Sequence, residues 1–397
     1  MSNSLSEEKI YLDYAATTPV DRRIVEAMLP FFSNVYGNPS SVHVFGQQAE
    51  AAVENARDQI AAELACPSKE IIFTSCGTES DNLALRGAAF AARKTKNSDH
   101  ILVSAVEHPA VSRTAEQLAS LHGFTLEYIP VDETGMVHPD EVASRLRSNT
   151  AIVSVMYANN EIGTINPIAE IGSICRKSGV LFHTDAVQAA AYLPVDVNDL
   201  IVDLLSLGAH KFYGPKGVGA LYLRRAPEYT SSILDLIPMQ TGGGQEFGFR
   251  AGTHNVPYIV GMAEALRLVG VERQARWTYL QPIRDHLIGQ ILERIPDSRL
   301  TGHMTQRLPN HASFVFRGVD GNHLLTLLDV EGFGCSSGSA CKTGNPEPSG
   351  VLLALGLAPE WALGSLRITL GSGTNIEQVE KLIQALPSLV EKARKHR

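Results

Sequence analysis

No apolar run in the 397 residues is long enough to cross a bilayer, because each apolar stretch is broken by a charged residue, Gly or Pro. The opening MSNSLSEEKI is polar and acidic. It lacks the basic-then-apolar order of a secretory signal and the Arg-rich pattern of a transit peptide. Positive charge is in deficit, with 34 Lys and Arg against 42 Asp and Glu and a net charge of -8. That argues against nucleic acid or an anionic membrane as the main partner, since both require a basic face. Cysteine is sparse as well: Cys66, Cys76, Cys175, Cys335 and Cys341. An odd count without a C-x-x-C pair gives no disulfide framework, and no matching Cys/His pair stands beside Cys335 and Cys341 to complete a zinc site. No metal is expected, and free thiols in a reducing compartment, the cytoplasm, are.

What is present is length, and alternation. A chain of 397 residues exceeds one ordinary hydrophobic core, so two unequal domains are expected. Up to about residue 223, short apolar runs alternate with helical patterns. The runs are Ile71–Phe73, Ile101–Val103, Ala151–Tyr157, Val180–Phe182, Val202–Leu205 and Val218–Leu223. Helices are predicted over Glu79–Arg93, from Pro109 and from Pro167. This is the α/β pattern of a mostly parallel sheet covered on both faces. After Asn255 the style changes to α+β: a long helix over Pro257–Arg294, a strand at Ser313–Phe316, a helix over Gly321–Val330, a strand at Arg367–Leu370 and a closing helix from Asn375. Polar motifs fall where the early strands stop, which is where open parallel sheets bind ligands.

Three of those motifs carry chemistry. Lys211 stands in a Gly-flanked loop after a strand, where a lysine of lowered pKa can bond an aldehyde cofactor. Taken alone, it reads as a solvated surface charge. Asp185 ends an apolar strand. It can face a pyridine nitrogen and keep it protonated, or it can cap the helix that begins at Ala186. Cys76-Gly77-Thr78-Glu79-Ser80 joins a strand to a helix, and its free N–H groups suit a phosphate as well as an ordinary helix cap.

Nearly end to end, the chain resembles the cysteine desulfurases that use pyridoxal phosphate (PLP), within the fold-type I, class V aminotransferase superfamily. The resemblance rests on Tyr11-Leu12-Asp13-Tyr14-Ala15-Ala16-Thr17-Thr18-Pro19, Gly37-Asn38-Pro39-Ser40-Ser41 and Thr74-Ser75-Cys76-Gly77-Thr78-Glu79-Ser80. It continues through Asn159-Asn160-Glu161-Ile162-Gly163, His210-Lys211, Gly242-Gly243-Gly244-Gln245-Glu246, Ser337-Gly338-Ser339-Ala340-Cys341 and Ser365-Leu366-Arg367. It implies a large domain over 16–254 with a mostly parallel seven-stranded sheet, and a smaller α+β domain from 1–15 and 255–397. It further implies that Lys211 forms the Schiff base, that Asp185 pairs with the ring nitrogen, and that His108 stacks on the ring and moves protons. Gln188 and Asn160 would lie near the phenolic oxygen, with Asn160 also near the substrate carboxylate. Gly77, Thr78 and His210 would hold the phosphate, and Thr253 would reach a phosphate in the partner of a homodimer with composite sites.

The resemblance also implies L-cysteine as substrate, alanine as product, a persulfide on Cys341 and a sulfur-acceptor protein, for iron–sulfur assembly or other sulfur traffic. Cys341 lies in a Gly/Ser-rich stretch beside Lys342, which favours an exposed thiolate, although a cysteine is more commonly a small buried hydrophobe. Arg367, inside a strand-like run, suits the substrate carboxylate or an internal acidic partner. Two positions depart from the family pattern. Gly208 stands where a phosphate-binding Ser is usual, and Cys76 where Gly is. Selenocysteine lyase, aminotransferase and kynureninase-like chemistries share the scaffold. The Ser-Gly-Ser-Ala-Cys stretch favours the desulfurase, because transamination has no use for a thiol.

Overall fold

A computed structural model describes residues 9–225, 236–338 and 347–395, so Cys341 lies outside the described residues. After the short β1 (Ile10–Tyr11) come β2 (Ile71–Thr74), β3 (His100–Ser104), β4 (Thr125–Ile129), β5 (Thr150–Ser154), β6 (Leu181–Asp185), β7 (Leu204–Gly208) and β8 (Gly219–Leu223). The last seven form one sheet in the order β2-β8-β7-β6-β5-β3-β4. Only β8 runs against its neighbours; the others point the same way. Strands β2, β3, β5, β7 and β8 are buried along their whole length, which is why they read as unbroken apolar runs: helices cover both faces. The edge strand β4 is exposed at Thr125 and Tyr128 and buried only at Ile129.

The carboxyl ends of β2, β3, β5, β6 and β7 therefore share one edge of the sheet. Beyond Ser154 the chain still bonds along β6, with Val155 N–H donating to His183 O at 3.2 Å and Tyr157 N–H to Asp185 O at 2.9 Å. This extension, read in the sequence as part of the strand, carries Asn160 to the end of β6. Glycine allows the closest approach at this edge. Gly208 pairs with Gly219 across β7 and β8, and a Cβ on Gly219 would come within 2.6 Å of the Cys76 carbonyl carbon. Side chains there would push the start of the helix Gly77–Lys96 away from the sheet.

The 39-residue helix Val256–Arg294 begins one residue after Asn255. It precedes β9 (Ser298–Leu300), β10 (His311–Phe316), β11 (Phe333–Gly334) and β12 (Ser365–Thr369). Strands β12, β10 and β9 make a small antiparallel sheet, while β11 pairs in parallel with β1. The N-terminal residues thus join this later part of the chain; Ala15 N–H also donates to Thr369 Oγ1 at 2.9 Å. Among the described residues, no helix is long and apolar enough to cross a membrane.

Candidate active site

A cavity of about 210 Å³ opens at the shared strand edge. Lys211, Asp185, His108, Asn160, Gln188, Gly77, Thr78, His210 and Arg367 all line it. Thr253 does not; it is exposed on the stretch before the long helix.

Lys211 ends a single turn that follows β7. Its Nζ donates to Ala15 O, and to Ala16 O at 2.8 Å. Burial pushes its pKa down to about 8, helped by the nearby Arg367, while Asp13 and Asp185 pull it back. An amine so placed is a ready nucleophile near neutral pH, unlike a surface lysine.

Asp185 closes β6 and accepts from Val187 N–H at 2.8 Å. The residues that follow form turns and no α-helix, so the carboxylate fixes a local turn while facing the cavity. Burial raises its pKa; His108, the Val187 N–H and Lys211 oppose the rise. His108 caps the helix Pro109–His122, its Nδ1 accepting from Ala110 N–H at 3.1 Å. That bond assigns the ring proton to Nε2. Burial lowers the imidazole's pKa, so it is neutral at pH 7.

The helix Gly77–Lys96 starts with no side-chain cap from Cys76, so its first N–H groups are available to an anion. A Cβ on Gly77 would lie 2.7 Å from Val187 Cγ2, and one on Gly208 would lie 3.3 Å from both Gly77 N and Val187 Cγ1. The missing serine side chain at 208 thus corresponds to a tight junction between β7 and the helix start. His210 pairs through Nδ1 with Thr17 Oγ1 at 3.2 Å. Burial, then Lys211 and Lys216, push its pKa down to about 4, so it approaches a phosphate as a neutral hydrogen-bonding group.

Arg367 realises the internal-partner reading and still lines the cavity. Its Nη2 pairs with Asp13 at 2.8 Å and its Nη1 donates to Asn160 O at 3.0 Å, while its buried Nε has no partner.

Two carboxyls, Asp81 and Glu107, were given no role by the sequence reading. Asp81 is 1% exposed, lines the cavity, and its Oδ1 has no hydrogen-bond partner. A carboxyl oxygen of Asp81, a ring nitrogen of His108 and a carboxyl oxygen of Asp185 all lie within 4.8 Å of one another. Burial, then Asp185, raise its pKa well above the usual carboxylate range. The available signal was its spacing: three residues beyond Thr78 on one helix, it falls on the same face. Glu107 is buried behind His108, accepting from Ser104 Oγ at 2.5 Å and Met156 N–H at 2.7 Å, and burial pushes its pKa up to about 8.

Comparison with known proteins gives a consistent result. Residues 10–382 match the class-V aminotransferase family. A cysteine desulfurase IscS of Dictyoglomus turgidum is 46% identical over 98% of this chain and 96% of its own length, and one of Methanosarcina thermophila is 45% identical over 98% and 94%. Among solved structures, a NifS-like protein superposes with a TM-score of 0.88 at 35% identity, covering 97% of this chain and all of its own. SspA in complex with cysteine has a TM-score of 0.78 at 34% identity, with 91% and 98% covered.

Proposed function

The chain belongs to the class-V aminotransferase family, and from that premise we propose that it is a PLP-dependent cysteine desulfurase. The observation that carries the proposal is one cavity lined by a lysine of lowered pKa, a buried aspartate and a buried arginine.

The residues present fit the cofactor. Gln188 Oε1, Asp81 Oδ1 and Arg367 Nε are buried polar atoms without partners, on residues that line the cavity. The uncapped helix start leaves backbone N–H groups available to a phosphate. Lys211 would bond the aldehyde carbon, and Asp185 would face the ring nitrogen with Gln188 and Asn160 at the ring's edge. His108 would cover the ring, while Gly77, Thr78 and His210 would hold the phosphate. Bound there, PLP supplies an electron sink for charge left at the substrate's α-carbon.

The chain's own groups do the rest. Arg367 binds and orients the cysteine carboxylate. Lys211, in its deprotonated form, and His108 take and return protons at the α- and β-carbons. The Cys341 thiolate attacks the substrate sulfur: an S–S bond forms, the carbon–sulfur bond breaks, and its electron pair stays with carbon. A proton on that carbon gives alanine, and Cys341 is left as a persulfide for an acceptor protein.

We also propose two domains, 16–254 and 1–15 with 255–397, and a homodimer in which exposed Thr253 reaches the partner's phosphate. Cys66, Cys76, Cys175 and Cys335 are free thiols, which supports a reducing, cytoplasmic setting. Product analysis tests the reading. Purified protein loaded with PLP and given cysteine alone should yield alanine without any keto acid. Strict dependence on a keto-acid acceptor would instead make it a transaminase.

A further inference from the structure

Glu161 sits in the tight loop after β5, beside cavity-lining Asn160. Asn159 Oδ1 accepts from the N–H groups of Glu161 at 2.8 Å and Ile162 at 3.0 Å, and Gly163 N–H donates to Asn159 O at 3.0 Å, so the backbone here is fixed. The Glu161 side chain is turned away from solvent toward two residues remote in sequence. Its Oε2 accepts from Ser349 Oγ at 2.5 Å. The same oxygen rests against Gly338, where an added Cβ would lie only 2.5 Å from it.

Gly338 and Ser349 flank the stretch that contains Cys341. Each is anchored further on its own side. Two residues before Gly338, Ser336 pairs backbone to backbone with Arg367, at 2.7 and 3.3 Å. Ser349 caps the helix Gly350–Ala354, its Oγ accepting from Val351 and Leu352 N–H groups. One carboxyl therefore touches both ends of the thiol-bearing stretch, from a loop that also presents Asn160 to the cavity. Burial pushes this carboxyl up to about 7, against the Ser349 hydrogen bond and the pull of Arg367. A buried acid is costly to keep, and nothing in the chemistry above uses it.

We propose that Glu161 is a positioning residue for sulfur transfer, a shared footing for Gly338 and Ser349, the described residues on either side of the stretch that contains Cys341. This rests on the desulfurase reading. The test uses full-length, PLP-loaded protein at saturating cysteine, and follows two signals together: the change in cofactor absorption on adding cysteine, and single-turnover persulfide formation on Cys341. Glu161→Ala should keep the absorption change and the KM for cysteine, while persulfide forms about tenfold more slowly or worse, the scale expected when a reacting group is misplaced by an ångström or less. Glu161→Gln keeps an oxygen for Ser349 and should recover most of the rate. Ser349→Ala removes the same hydrogen bond from the other side and should slow the step likewise, so the result does not depend on one variant folding. A persulfide rate within twofold of the parent in both alanine variants would overturn the proposal. Absence of persulfide in the parent itself would overturn the desulfurase reading.

Discussion

Arg367 and Asp13, 354 positions apart in sequence, meet at 2.8 Å on the wall of the cavity. The pair fixes the guanidinium plane and leaves the buried Nε unpartnered. An arginine so held is oriented before any substrate carboxylate arrives, which reduces the ordering cost of binding.

Arg367→Lys should therefore behave as a loss, because an ammonium cannot reproduce the planar fork. The KM for cysteine is expected to rise by about 10- to 100-fold, equivalent to one charge-assisted contact. The bound-cofactor absorption should be unaltered. Steady-state kinetics with parallel spectra check both.

Asp13→Asn leaves a buried guanidinium without its counter-charge. Stability should fall by about 3 kcal/mol, the scale for breaking a buried pair from one side. Equilibrium denaturation of the cofactor-free protein measures this directly.

Lys211 should titrate near pH 8 in the cofactor-free protein. Only the neutral amine attacks an aldehyde, so the rate of PLP uptake should rise about tenfold per pH unit below that value and level off above it. Lys211→Ala should abolish borohydride-fixed cofactor label. Stopped-flow absorption across pH 6–9 follows the first effect, and mass spectrometry the second.

Asp81 carries a raised pKa, so the folded protein holds a proton that the unfolded chain releases near pH 4. Its contribution to stability is full below that pH and is lost as pH rises, because the native state then binds more protons than the unfolded one. Asp81→Asn removes that slope. The cofactor-free variant should be more stable than the parent at pH 7 by about 1–3 kcal/mol, converging with it near pH 4. Urea melts at both pH values decide the matter.

Gly208→Ser would restore a hydroxyl at the phosphate end of the site, worth about 1.5–3 kcal/mol when bonded to an anion. Gly208→Ala adds only the Cβ, which meets Gly77 N and Val187 at 3.3 Å. Cofactor loss on dialysis should be slower than parental for the serine variant and faster for the alanine variant.

Much of this was legible in the sequence, for identifiable reasons. The central strands are covered on both faces, so their apolar runs stand out, and the site residues lie where those runs stop. Strand β4 was missed because an edge strand need not be apolar: Thr125 and Tyr128 are exposed. The helix Val44–Glu63 buries Ala49, Val53, Ala56 and Ile60, yet alanines among Gln and Glu give little hydrophobic contrast. Asp81 stayed hidden because an aspartate on a helix normally faces water. Its burial comes from the sheet packed against it, and no local pattern reports that.

The two carbonyls that hold the Lys211 amine, on Ala15 and Ala16, lie next to Thr369 and beside the β1–β11 pair, whereas the lysine itself belongs to the central sheet. Shortening the protein to begin at Thr17 would leave every strand of that sheet intact while cutting away the lysine's two acceptors and Asp13, the counter-ion of Arg367. Such a product would keep the large sheet's strands and lose its grip on both cofactor and substrate, so an intact large sheet is no proxy for a working catalyst.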